Sequence, residues 1–257
     1  MWESLLITAI TGILGTGLGA VIAAFMGKRK GNVHDWLFAF SGGVMWAVVF
    51  FDLIPETQEM LSMWQAVLWI GIGALVIWGC SAILEKFGGG HVHSHGHENH
   101  THEEHSLAAH SKRAGLFLAV AVMLHNLPAG LAISSTYMHS ATVGLSMAIL
   151  IALHNIPEGI AISLPLMDGG VTKTKAVVYA MVSGAPTLLG GAIGTALGGV
   201  SETVLGAILG FAAGAMFMVM FLHIVAEAFY ANKNKFAALF TMTGILFGFV
   251  IVSVLGH

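Results

Sequence analysis

Charge is what this chain has least of. Lys, Arg, Asp and Glu make up 9% of its 257 residues, against roughly 25% in a soluble domain. So few ions cannot cover a water-facing surface, and the mean hydropathy of +0.85 points to lipid as the solvent. The net charge of −3 leaves no basic surface for nucleic acid. Cysteine is present once, as Cys80, which excludes an intramolecular disulfide and a thiolate-rich zinc site. The phosphate-binding GxxxxGK[ST], the zinc-protease HExxH and the nucleophile elbow GxSxG are all missing, so ATP-driven pumping and those two hydrolytic chemistries lack support. No basic stretch precedes the first apolar run; Lys28, Arg29 and Lys30 follow it. A cleaved signal peptide has the opposite flanks, so this run is expected to stay as a span.

Apolar runs of about 20 residues, each long enough to cross a bilayer, are abundant. Eight are legible, at roughly 3–27, 34–57, 63–86, 114–138, 142–166, 175–199, 202–230 and 236–256. Only one connection is long, residues 87 to 113, so one integral domain over 1–257 is expected. All ten basic residues fall in alternate connections: Lys28, Arg29 and Lys30; Lys86, Lys112 and Arg113; Lys173 and Lys175; Lys233 and Lys235. The positive-inside rule puts those connections in the cytoplasm and both termini outside.

The chain also repeats itself. Residues 38–57 align without a gap on 209–228, matching Phe40, Gly43, Met45, Val48, Phe50 and Glu56 to Phe211, Gly214, Met216, Val219, Phe221 and Glu227. Helices 2 and 7 run in opposite directions, so the copies are inverted. A weaker echo relates Gly15 and Gly19 to Gly190 and Gly194. The expected fold is therefore an all-α integral membrane protein of eight transmembrane helices in a 3+2+3 arrangement. Helices 1–3 recur inverted as 6–8 around a central pair, a plan shared by many secondary transporters.

The central pair carries the chemistry. HNLPAG (His125 to Gly130) recurs as HNIPEG (His154 to Gly159), one copy in the middle of helix 4 and the other in the middle of helix 5. An unpaired polar group at that depth costs several kcal/mol, so such residues face a cavity or a ligand. His154 and Glu158 share a helix face, and Pro157 and Pro128 free the carbonyls of Leu153 and Leu124. Imidazole, amide and carboxylate suit a divalent cation. The plain alternative is two Pro-kinked helices whose His and Asn bond each other. Asp52 and Glu56 are expected near the outer mouth of helix 2, with His223 and Glu227 at matching positions toward the inner mouth of helix 7, as entry and exit sites. Their alternative role is to anchor helix ends.

The long connection contains GGGHVHSHGHENHTHEEHSLAAH, with His91, His93, His95, His97, His100, His102, His105 and His110. Glycine, histidine and acids at that density cannot form a core, so a mobile cytoplasmic loop that contacts metal is expected. Two further readings stay open: a membrane-embedded metal-dependent hydrolase with Glu158 as general base, and a metal sensor that signals through the His-rich loop.

With these motifs the chain resembles the ZIP (Zrt/Irt-like) family of metal transporters, most closely its bacterial GufA/ZupT-type branch. The resemblance spans almost the whole length: eight helices, the His-rich loop after helix 3, the paired HNxPxG motifs, and the helix 2 and helix 7 segments. It implies movement of Zn²⁺, with Fe²⁺, Mn²⁺, Co²⁺ and Cd²⁺ as alternatives, into the cytoplasm through a bacterial inner membrane by alternating access. Zinc would be cargo, without an organic cofactor or enzymatic activity. The partners implied are the ion and the lipid bilayer, with a homodimer allowed. By position, His125, Asn126, His154, Asn155 and Glu158 fall on the family's metal ligands. Two positions depart from it: Ala129 and Ala185 stand where the family commonly has glutamates. Glu158 would then be the only acid at the core, and a second ion would meet strong repulsion at low dielectric. One bound ion is expected, held weakly enough to leave quickly or bound together with an anion. Imidazole must be neutral to ligate, so zinc affinity should fall as pH drops to about 6. Titrating zinc into purified protein at two pH values checks this, and equal affinity on both sides of that value counts against histidine ligation.

Overall fold

The computed structural model describes residues 2–26, 33–87, 100–225 and 235–255, and those residues form helices and short connections. Among the described residues, eight helices are long and apolar enough to cross a membrane: α1 (Trp2–Met26), α2 (Asp35–Met60), α3 (Met63–Ile83), α4 (Ser111–His139), α5 (Ala141–Asp168), α6 (Lys173–Ala196), α7 (Glu202–Leu222) and α8 (Phe236–Leu255). Outward-facing side chains such as Trp64, Leu68, Leu75 and Trp78 on α3, and Leu239, Met242, Leu246 and Val250 on α8, are large, apolar and exposed. A continuous surface of that kind belongs in hydrocarbon.

The span limits follow the sequence with two informative differences. The connection expected from 87 to 113 is helical from His100 onward, where the chain joins α4 without a break. Ala, Leu, Glu and Lys in and around SLAAHSK favour helix, and α4 supplies a nucleus from which it can propagate. Helix α6 ends at Ala196 rather than 199, because Gly198 and Gly199 take positive φ values of 70° and 94° and stop it.

Packing is layered. Helices α4 and α5 pair at the centre; α1 and α2 pack on α5, while α6 and α7 pack on α4. The outermost helices, α3 against α7 and α8 against α2, bury only 22% and 17% of their most apolar stretches, against 72% for α4. This arrangement reads the same when 1–3 is exchanged for 6–8 and α4 for α5. The close contacts do likewise. A Cβ on Gly43 would strike the Thr241 carbonyl and one on Gly244 that of Phe40; at the equivalent positions of the repeat, Gly214 meets Ile70 and Gly73 meets Phe211. Gly19 and Gly159 abut Ile156 and Thr16, just as Gly190 and Gly130 abut Leu127 and Thr187. The register between α1 and α6 is therefore Gly19 with Gly190. The GxxxG echo, which pairs Gly19 with Gly194, is one turn off.

The helices are also irregular at matching positions. α2 has a π-helical turn at Val49–Leu53 and α7 one at Met220–Val225. α1 has a π-helical turn at Ile10–Leu14, where α6 breaks before Pro186. Inserted turns of this kind cluster at functional sites. Between α2 and α7, Trp46 packs on Phe217 and Phe221 and Phe50 on Phe217 with ring centroids 5.5–5.8 Å apart, joining the two copies by their own equivalent residues.

Replacing Gly159 by Ala should cost about 1–3 kcal/mol, because its Cβ must displace the Thr16 backbone. Gly71→Ala meets nothing within 4 Å and should be neutral or slightly stabilising. Thermal unfolding of both variants in detergent is the check; equal melting temperatures would contradict the packing argument.

Candidate metal site

His125 lies midway along α4 and His154 midway along α5, so a bilayer places both near its centre. Both are 3% exposed, and Asn126, Asn155 and Glu158 are fully buried. The prolines one turn later do not end either helix; α4 and α5 continue through Pro128 and Pro157.

The asparagines hold the neighbouring helices. Asn126 Nδ2 donates to the Ser183 carbonyl at 3.0 Å, beside the α6 break, and Asn155 Nδ2 donates to the Thr11 carbonyl at 2.9 Å, inside the α1 π-turn. The irregular turns thus offer carbonyls that side-chain amides satisfy. Both Asn Oδ1 atoms remain buried without a hydrogen-bond partner.

The remaining groups converge. His125 Nε2 lies 2.8 Å from Glu158 Oε1, and His154 Nε2 lies 3.9 Å from the same oxygen. The shorter approach lacks the alignment of a hydrogen bond, so Glu158 is left with both oxygens unbonded, as is His154 with both ring nitrogens. One donor atom from each of His125, His154 and Glu158 falls within 4.8 Å of the others. Among the described residues, this is the group of three His or acidic side chains so arranged. Two nitrogens and a carboxylate at that spacing match the donor types and reach of a transition-metal or zinc ion.

Beside these groups is a cavity of about 10 Å³, walled by Asp52 and Leu53 of α2, His125 and Ala129 of α4, Met147, Ile151 and His154 of α5, and Leu209, Ala212 and Met216 of α7. That is close to the space one water needs. A lipid chain or a peptide does not fit.

The position of Asp52 is a correction. Counting residues along α2 puts it near the outer mouth, with Glu158 the sole core acid. Instead Asp52 is in the cavity wall beside His125 and His154. The helix continues to Met60, two turns further on, which leaves about 12 Å of rise between Asp52 and the helix end. Glu56 is one turn further out and partly exposed. His223 falls on the α7 π-turn, at the position equivalent to Asp52. Glu227 and His91, His93, His95 and His97 lie outside the described residues; His100, His102, His105 and His110 lie on the helical extension before α4. Ala185 is at the α6 break and does not wall the cavity. Sequence reading also missed Met147 and Met216. The signal was available: Met147 is two turns before His154 on one face, and Met216 pairs with Met45 in the repeat.

The pattern described as ZIP Zinc transporter matches residues 84–256, two thirds of the chain and most of the site helices, α4, α5 and α7 among them. The chain belongs to the ZIP zinc transporter family. Its similarity to bacterial members runs end to end: it is 30% identical to Zinc transporter ZupT of Chlorobium phaeovibrioides over 98% of this chain and 96% of that protein. Zinc transporter ZupT of Streptococcus mutans is 30% identical over 99% and 96%. ZupT of Chlorobium limicola is 31% identical over 98% and 96%.

Within this ZIP protein, one carboxylate touches the imidazole pair and the cavity admits one small guest. Purified protein should therefore bind a single Zn²⁺ per chain at the site, and Glu158→Gln should weaken it by about 10- to 100-fold. Metal quantification after dialysis, with isothermal titration of the variant, checks both; two tightly held ions would contradict the geometry.

Proposed function

We propose that this protein is a secondary transporter that carries divalent metal ions, zinc foremost, across the bacterial plasma membrane into the cytoplasm by alternating access. The observation that carries the reading is the trio His125, His154 and Glu158: buried, in reach of one another, and left with unbonded donor atoms in the middle of two spans. Family membership and the zinc that gives the ZupT relatives their name supply the cargo. Fe²⁺, Mn²⁺, Co²⁺ and Cd²⁺ use overlapping donors and belong to the same proposal.

An ion entering this site exchanges its water shell for fixed ligands. His125 and His154 provide neutral nitrogens, Glu158 provides a negative oxygen, and Asn126 and Asn155 present carbonyl oxygens while their amides hold α6 and α1. Because the Asn side chains span the interfaces of the central pair, movement of α4 and α5 against their neighbours and occupancy of the site are mechanically linked.

The cavity lies on one side of the two imidazoles. Ala129 follows His125 along α4, Met147 and Ile151 precede His154 along α5, and Asp52 is toward the C-terminal end of α2. By the distribution of basic residues that side is the outside. The equivalents on the other side, Phe38, Ser41, Met45, Leu118 and Val122, are all buried. Most walls of the cavity are buried as well, Leu53, Ala129, Ile151, Leu209, Ala212 and Met216 among them, so an ion held there would be screened from both faces, as one state of an alternating-access cycle requires. Asp52 and Glu56 would form the approach, with His223 and Glu227 the release side and the loop histidines a metal-contacting hand-off. Against the hydrolase reading is the cavity itself, too small at about 10 Å³ for a substrate beyond water.

Uptake of radioactive zinc into proteoliposomes containing only this protein is the test. The parent should accumulate ion down its gradient, while His154→Ala and Glu158→Ala should lose at least about 90% of the rate, as expected when a direct metal ligand is removed. Rates in the two variants equal to the parent, in correctly inserted protein, would remove the trio from the pathway. Zinc binding without any uptake would favour a sensor.

A further inference from the structure

We propose that Asp52 is the second charge-compensating acid of this site, so that the ion is held among three helices, α2, α4 and α5. This rests on the reading of His125, His154 and Glu158 as the cargo site.

The argument starts from charge. Neutral imidazoles and amides leave Glu158 to offset a dication alone, and one uncompensated positive charge in a dry interior is costly. The position on α4 equivalent to Glu158 is Ala129, in the first copy of the HNxPxG motif, and it offers no donor. Ala129 nevertheless walls the cavity, so the room for a second acid is there and α4 does not fill it. Asp52 of α2, an acid, is part of the same wall.

Local backbone supports the assignment. Asp52 sits in the π-helical turn Val49–Leu53 of α2. An extra residue in one turn rotates the following side chains relative to a regular helix and commonly serves to aim one at a site. Beyond it, Glu56 and Glu59 continue the same face, one and two turns on, toward the helix end at Met60. These acids alone would be an ordinary acidic helix end. What ties Asp52 to a ligand is its shared cavity with His154, buried and with both ring nitrogens unbonded. Asp52 would reach the ion directly or through one water.

The charge can be moved to test this. Zinc and cadmium titrations of purified, detergent-solubilised protein would compare the parent with Asp52→Asn, Asp52→Glu, His154→Ala and the double variant Asp52→Asn with Ala129→Glu. Asp52→Asn should weaken both ions by about 10- to 100-fold, Asp52→Glu should keep most of the affinity, and the added glutamate on α4 should recover most of the loss. Because Ala129→Glu adds a carboxylate in any background, the rescue is read against Ala129→Glu alone, and a gain no larger in the Asp52→Asn background than in the parent overturns the assignment. Parental affinity in Asp52→Asn alongside loss in His154→Ala overturns the role of Asp52 and leaves the cargo site standing. Parental affinity in His154→Ala overturns the cargo site itself. Equal weakening by Asn and Glu at position 52, in protein with an unchanged melting temperature, also overturns the assignment. If the double variant does not fold, the Asn and Glu comparison decides alone.

Discussion

Three polar side chains, dry and short of partners at mid-bilayer, set the terms for this fold. His125, His154 and Glu158 together present nitrogen and oxygen atoms that no backbone or side-chain hydrogen bond satisfies. In hydrocarbon such a cluster costs free energy unless something charged enters it. The protein holds it in place with close backbone contacts between helices. Gly130 and Gly159, each closing the motif that its histidine opens, let α6 and α1 approach to backbone distance. The asparagines next to the histidines then bond into the irregular turns of those helices. Close packing and side-chain amides thus do what water does at a soluble site.

Irregularity in the helices follows from the same need. An unbroken α-helix consumes its own carbonyls and has none to give a neighbour. Here α1, α2 and α7 widen into π-turns and α6 breaks before a proline, while α3 and α8, which take no part in the site, run regular to their ends. The irregular turns are confined to helices packed around the central pair; α4 and α5 themselves continue through their prolines, and α3 and α8 show no irregular turn among the described residues.

Much of this was legible in the sequence for physical reasons. Span count and the central position of the HNxPxG motifs follow from bilayer thickness, which fixes how many apolar residues make a crossing. The α2 and α7 repeat was readable because both copies face the same packing demands, and the glycine contacts keep its register. Three features were not. Asp52 was misplaced because a residue count assumes about 1.5 Å per residue along a regular helix and carries no information about azimuth; the π-turn changes the latter. The α1 and α6 register slipped by one turn because GxxxG recurs in small-residue helices and matches at more than one offset. The helix before α4 was hidden by histidine and glycine richness upstream, although SLAAHSK itself favours helix.

Symmetry in packing and asymmetry in chemistry then combine. The backbone contacts recur at equivalent positions of the two flanking triplets. The polar residues do not repeat so faithfully: Glu158 corresponds to Ala129, and Asp52 to His223. A ligand biases a two-state scaffold only by its difference in affinity for the two states. With identical chemistry in both triplets a dication would meet the same surroundings from either side and bias neither arrangement. An aspartate at position 52 and a histidine at the equivalent position 223 make the two triplets unequal in chemistry. That inequality resides in single side chains, so it can change from one relative to the next without disturbing the glycine contacts that hold the helices together.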